Sequence, residues 1–342
     1  MSLQQPLQGV RVVEFEGIGP GPTAGRMLAG MGADVTVLVR PDARPLFGGE
    51  RAARAVNPLR EGKHVIACNL KSAEGVAQAL DLVAGADVLI EGNRPGVMER
   101  LGLGPQACLA RNPRLVYGRM TGWGQDGPLA QAAGHDLNYV ALTGLLSLSA
   151  RPGQAPIVPP TVVGDAAGAL GFAFGVACAL VDVRAGGPGR VVDAAIVDIV
   201  AMLGMIAQWV RGRGEIDTGQ PSPFHDSPHY DVYECADGRY VSIGALEPQF
   251  YDLLLTKLGL DELDRGRQGE RADWPALKER IATTFRSHPQ QHWCELLEGT
   301  DACFAPVLTI AEAVAHPHNV ARGLFRQQPD GSIAPAVAPR FL

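Results

Sequence analysis

Apolar positions in the first third of the chain follow two alternating periods. The runs VRVVEF (10–15), ADVTVLV (33–39), DVLIE (87–91) and RLVYGRMT (114–121) are short and rich in β-branched residues, the pattern of buried strands. Between them, TAGRMLAGMG (23–32) and GVAQALDLVAGA (75–86) repeat apolar residues at helical spacing and end on glycine or small residues. Strands alternating with helices predict a parallel, doubly wound sheet, an α/β fold of Rossmann-like type.

From residue 136 onward the period becomes helical. Helices are predicted over 136–149, 165–184 and 194–210, with the sheet ending before them. The Gly- and Pro-rich stretch RGRGEIDTGQPSPFHDSPH then predicts a linker over 211–227. Two strand-like runs flank Asp237-Gly238, a hairpin signal that opens a second, smaller α+β domain at 228. Its helices fall in PQFYDLLLTKLGL, WPALKERIATTFRS and PQQHWCELLEG. The expected organisation is a large domain over 1–210, the small domain over 228–308, and a return segment to the large domain over 309–342.

Composition narrows the function classes. A 342-residue chain with 46% hydrophobic and 19% charged residues can bury a full core. Its net charge of -6 argues against a nucleic-acid partner, which needs a basic face. The run Ala166–Val181 falls short of the ~20 apolar residues of a bilayer span and is bracketed by Asp165 and Asp182, so it reads as a buried helix and no membrane partner is expected. Six cysteines without CxxC pairing, and no secretory signal in MSLQQPLQGV, fit a reducing, cytoplasmic setting.

Several residues bear chemistry. Gly19-Pro20-Gly21-Pro22-Thr23-Ala24 satisfies the GxGxxA dinucleotide pattern, with Arg40 where a 2′-phosphate would be held, although the prolines remove N–H donors from the loop. An NADP-dependent reductase is therefore one reading. Arg40, Arg60, Lys63 and Arg94 lie at or near strand ends and could converge on a polyphosphate; coenzyme A would fit them equally well. His135 and Asp136 are adjacent at a predicted helix start, where an aspartate is also an ordinary cap. Asp165 opens a small-residue helix, and Glu247 sits between a strand and a helix beginning with Pro248. His225 and His229 have HxxxH spacing, but Pro228 interrupts the helix that would place both on one metal, and no metal is expected.

In order along nearly the whole chain, VVEFEGIGPGP, DVLIEGNRPGVMERLGLGP, RMTGWGQDGP, AGHDLNYVALTGLL, VGDAAG, GALEPQFY and DACFAPVLT resemble the α-methylacyl-CoA racemases of the family III CoA-transferase superfamily. The resemblance implies an interlocked homodimer of two-domain subunits with acyl-CoA as substrate. It also implies a site between the large domain of one subunit and the small domain of the other. His135 and Asp165 match the acid/base pair, Glu247 the residue supporting the histidine, and Asp136 a residue beside the thioester; Arg40 and Arg94 match CoA contacts, Arg60 and Lys63 less closely. The sequence departs from the racemases at QPSPFHDSPHY, where they carry an NMLDGGAPxY-like segment, and at AAG after Asp165, where FGG or FAGG is common.

The chemistry of inversion at an α-carbon agrees with that set, since one base must take a proton from one face of an enolate while an acid returns one to the other. Coenzyme A belongs to the substrate and no further cofactor is needed. One alternative is CoA transfer, with Asp136 as the carboxylate that forms a mixed anhydride. Another is a non-catalytic CoA-binding protein.

Overall fold

The computed structural model describes residues 5–41, 57–151, 153–328 and 331–341. Two compact units divide the chain: Met1–Ser149, Pro156–Gly204 and Arg326–Leu342 form the first, Ala150–Ala155 and Met205–Phe325 the second. The chain thus leaves the first unit at Gly204, inside the stretch read as one helix over 194–210. Gly204 separates the helix Ile196–Leu203 from Met205–Gly212. The return comes at Arg326 and not at 309, because the segment after 303 supplies β9 (Phe304–Val307) and two short helices to the second unit.

The first unit is built on a six-stranded parallel sheet of order β3-β2-β1-β4-β5-β6. The strands are β1 (Arg11–Phe15), β2 (Asp34–Val39), β3 (Lys63–Ala67), β4 (Val88–Glu91), β5 (Val116–Thr121) and β6 (Arg190–Ala195). Two were not legible in the pattern. β3 has only partly buried or exposed positions and so lacks a continuous apolar run; β6, which follows the helix Ala167–Arg184, buries only Ala194 and Ala195 and extends the sheet beyond its expected end. The order reverses between β1 and β4, the switch point where sheets of this kind open a crevice at the carboxyl ends of their strands. The loop after β1 and the segment after β4 both emerge there.

The helix Ala167–Arg184 packs on β5, β6 and the helix Pro20–Gly30. It buries Gly168, Ala169, Phe172, Val176, Leu180 and Val183, each large side chain contributing about 1.5–3 kcal/mol. Its other flank is open: Phe174 and Val181 are 67% and 70% exposed. Only 33% of the apolar stretch is buried, less than the buried helix expected. Together with the preceding turn, it is also long and apolar enough to cross a membrane by composition alone.

The second unit has a three-stranded antiparallel sheet of β7 (Tyr230–Glu234), β8 (Tyr240–Gly244) and β9. The β7–β8 hairpin turns at Asp237-Gly238 as expected, with Gly238 at φ +73°. The helices Pro248–Lys257, Trp274–Phe285 and Gln290–Leu297 bury Leu254, Leu255, Ile281, Phe285 and Trp293 in a core with Tyr233 and Val241.

Candidate active site

His135 and Asp136 stand where the helix Asp136–Leu142 begins. His135 occupies the cap position in extended conformation, and its N–H donates to Asn138 Oδ1 at 3.0 Å, which fixes the chain entering the helix. The His135 side chain is exposed and that of Asp136 is buried. Asp136 caps a different segment: its Oδ1 accepts the N–H of Gly164 at 2.8 Å and of Asp165 at 2.6 Å. These two donors belong to a π-helical turn, Val162–Ala166, in which Ala166 N–H donates to Thr161 C=O at 3.0 Å. Thr161 enters that turn at φ +62°, a left-handed conformation that costs a β-branched residue free energy. Asp165 is thus held on an irregular turn ahead of the long helix, and is not its cap as the sequence suggested.

The three side chains share one electrostatic environment. Burial, and next the charge of Asp136, raise the Asp165 carboxyl above the usual aspartate range, while His135 opposes the shift. A raised carboxyl pKa favours the protonated form, which is the form an acid catalyst uses. Gly19, in the loop after β1, faces the same carboxyl: a Cβ there would lie 3.1 Å from Asp165 Oδ2, and its φ of +68° also favours glycine. The dinucleotide-like loop therefore lies against the aspartate.

Tyr139 is a site residue that the sequence reading missed. Its hydroxyl donates to the Gly134 carbonyl, its ring meets Trp123 edge-on at 4.7 Å, and burial and then Asp165 push its hydroxyl pKa up against the opposing charge of Arg94. Gly122 makes room for that ring, since a Cβ there would come within 2.0 Å of it. The glycines of TGWG were the available signal.

The four predicted phosphate ligands differ in their surroundings. Arg40 directly follows β2 and Arg94 lies just beyond β4; both are exposed at the carboxyl edge of the sheet. The backbones of Arg60 and Lys63 precede or open β3, but the Arg60 side chain reaches Glu16, which follows β1 and also accepts the Arg40 N–H at 3.4 Å. The Arg60 guanidinium donates to Glu16 Oε1 at 2.5 Å. The Lys63 ammonium is fully buried and donates to Glu14 Oε2 at 2.6 Å and to the Pro22 carbonyl at 2.8 Å. Gly25 leaves space for this pair, because a Cβ would fall 1.9 Å from Glu14 Oε2. Burial pushes Glu14 up to about 7 against the Lys63 charge, and the Lys63 ammonium is engaged within the fold.

Glu247 belongs to the second unit. It takes the cap position of the helix Pro248–Lys257 and is exposed. Burial and then the Glu247 carboxylate raise the Cys303 thiol, which places the two side chains near each other.

Fold and site together define a doubly wound α/β protein with a histidine–carboxylate pair at its switch-point edge. The chain matches the model of CoA-transferase family III over residues 7–342. It is 39% identical to alpha-methylacyl-CoA racemase of Homo sapiens, across 98% of this chain and 86% of that protein. It is likewise 39% identical to the Mus musculus racemase, across 97% and 86%. Succinate–glutarate CoA-transferase of Agrobacterium fabrum is 29% identical across 97% of this chain and 88% of its own. Among solved structures, Rv3272 from Mycobacterium tuberculosis superposes with a TM-score of 0.81 at 26% identity, over 99% of this chain and 93% of that one. A CAIB/BAIF family protein from Brucella suis gives 0.78 at 27%, over the same shares. The chain belongs to CoA-transferase family III.

Proposed function

We propose that this protein inverts the α-carbon of 2-methyl-branched acyl-CoA thioesters, by proton removal and return through an enolate. The observation that carries the reading is the double hydrogen bond from the turn at 164–165 to Asp136, which fixes Asp165 beside the helix start bearing His135. The identity to two racemases over almost the whole chain supports the same reaction.

In one direction neutral His135 takes the α-proton, leaving the enolate, and protonated Asp165 delivers its proton to the opposite face. The pair then holds the reverse protonation state, and the reverse reaction or exchange with water resets it. The raised pKa of Asp165 supports its acid role. Backbone dipoles at helix starts favour the negative charge that develops on the thioester oxygen. Arg40 and Arg94 bind the phosphates of CoA, which enters as part of the substrate, so no separate cofactor takes part. Glu247 supports the histidine.

The protein acts as a homodimer. The exposed apolar flank of the helix Ala167–Arg184, with Leu170, Phe174 and Val181, supports a protein cover for that surface. Six cysteines, all free thiols, suit the cytoplasm.

A second reading, CoA transfer to a free acid, is favoured by the family as a whole. The geometry changes its nucleophile: Asp136 Oδ1 is committed to two backbone donors, whereas Asp165 is half-buried beside it and better placed to attack a thioester. Deuterium incorporation at the α-carbon, measured without a free acid acceptor, tests racemisation; an acyl-enzyme trapped by hydroxylamine would favour transfer.

A further inference from the structure

The second unit contains a cavity of about 790 Å³ to which neither reaction assigns a role. Trp209, Phe224 and Trp274 supply apolar wall, Arg213 and Arg271 supply charge, and His229 lines its buried side. All belong to the Met205–Phe325 part of that unit.

Three observations distinguish this cavity from a surface fold. His229 is only 3% exposed, held edge-on by Tyr251 and Trp274 at 5.6 Å each, and its Nδ1 has no hydrogen-bond partner among the described residues. An unpartnered polar group at such depth is costly, and a neutral imidazole still has one donor and one acceptor to offer. Secondly, the two arginines differ. Arg271 is paired with Glu215 at 3.2 Å, whereas Arg213 lies over the Trp209 ring at 5.3 Å with no carboxylate partner among the described residues. The lining therefore carries one uncompensated positive charge. Thirdly, Trp209 is 63% exposed although it stands in the cavity wall, a large aromatic face open to a ligand.

The geometry points to a second small-molecule site, for a monoanionic organic carboxylate with an apolar or aryl body. Its carboxylate pairs with Arg213 and its body lies against Trp209, Phe224 and Trp274. The imidazole of His229 provides a neutral polar contact at the inner end. One free charge fits a carboxylate better than a polyphosphate, which would need Glu215 displaced from Arg271. The inference is independent of the racemase reading.

Calorimetric titration of the full chain with 3-phenylpropanoate tests it. Saturable binding at one site per chain is expected, with Kd on the order of 1 mM or tighter. The uncharged 3-phenylpropanamide and the variant Arg213→Gln should each weaken binding by about tenfold or more. His229→Phe, which keeps the edge-on packing but loses the ring nitrogens, should weaken it several-fold. Absence of saturable heat, equal binding of acid and amide, or undiminished binding by Arg213→Gln would overturn the proposal. α-Deuterium exchange in Arg213→Gln should equal that of the parent, which separates failure of this site from failure of the racemase reading.

Discussion

Asp136 Oδ1 accepts the backbone N–H of Asp165 at 2.6 Å, so one carboxylate ties the helix start carrying His135 to the turn carrying Asp165. The same carboxylate helps raise the Asp165 pKa by like-charge repulsion. Replacing Asp136 by asparagine keeps an acceptor oxygen but removes the charge. The Asp165 pKa should then fall, although burial still holds it above that of a free aspartate. In the pH–rate profile of α-proton exchange, the limb lost as protonated Asp165 ionises should move to lower pH in Asp136→Asn. An unmoved limb would detach Asp136 from Asp165.

Gly164 admits no side chain. A Cβ would approach within 2.5 Å of Asp136 Oδ1 and would disrupt the contact that positions Asp165. Gly164→Ala should cost about 1–3 kcal/mol in denaturant unfolding and lower kcat by about 10²-fold. Near-parental turnover would show that the tie is dispensable.

Lys63→Met leaves Glu14 buried without its cation. Its carboxyl, already raised to about 7, should rise further. A raised carboxyl destabilises the fold where it is ionised, so the stability loss should be small at pH 5 and reach about 3–5 kcal/mol at pH 8. Chemical denaturation at the two pH values measures it. The KM for acyl-CoA should change little, whereas Arg94→Ala should raise it; equal KM effects in the two variants would restore Lys63 as a ligand.

The sequence disclosed the strands with unbroken apolar runs, β1, β2, β4 and β5, and the hairpin at Asp237-Gly238. β3 and β6 escaped because edge strands bury too little to leave an apolar run. Of the site, the sequence offered His135, Asp136, Asp165 and Glu247 as candidates with roles; the cap from Asp136 to 164–165 was not visible, because it spans 29 positions and reaches a π turn that no local pattern announces. The pairing of Lys63 with Glu14 was hidden for a related reason, since the two lie 49 positions apart.

Phe174, 67% exposed on the apolar flank of its helix, should lie beneath a partner subunit. Sedimentation velocity of the parent should show a dimer, and Phe174→Glu should shift the population towards monomer by burying an unpaired charge at the interface. A monomeric parent would remove the homodimer from the account.

The central claim is tested most directly by incubating the enzyme with a (2R)-methylacyl-CoA in deuterated water and following the α-position by NMR. Deuterium should enter at that carbon and both epimers should form with no second substrate, with His135→Ala and Asp165→Ala each folded and inactive. Absence of exchange across a panel of branched acyl-CoA thioesters, or full exchange in either variant, would contradict it.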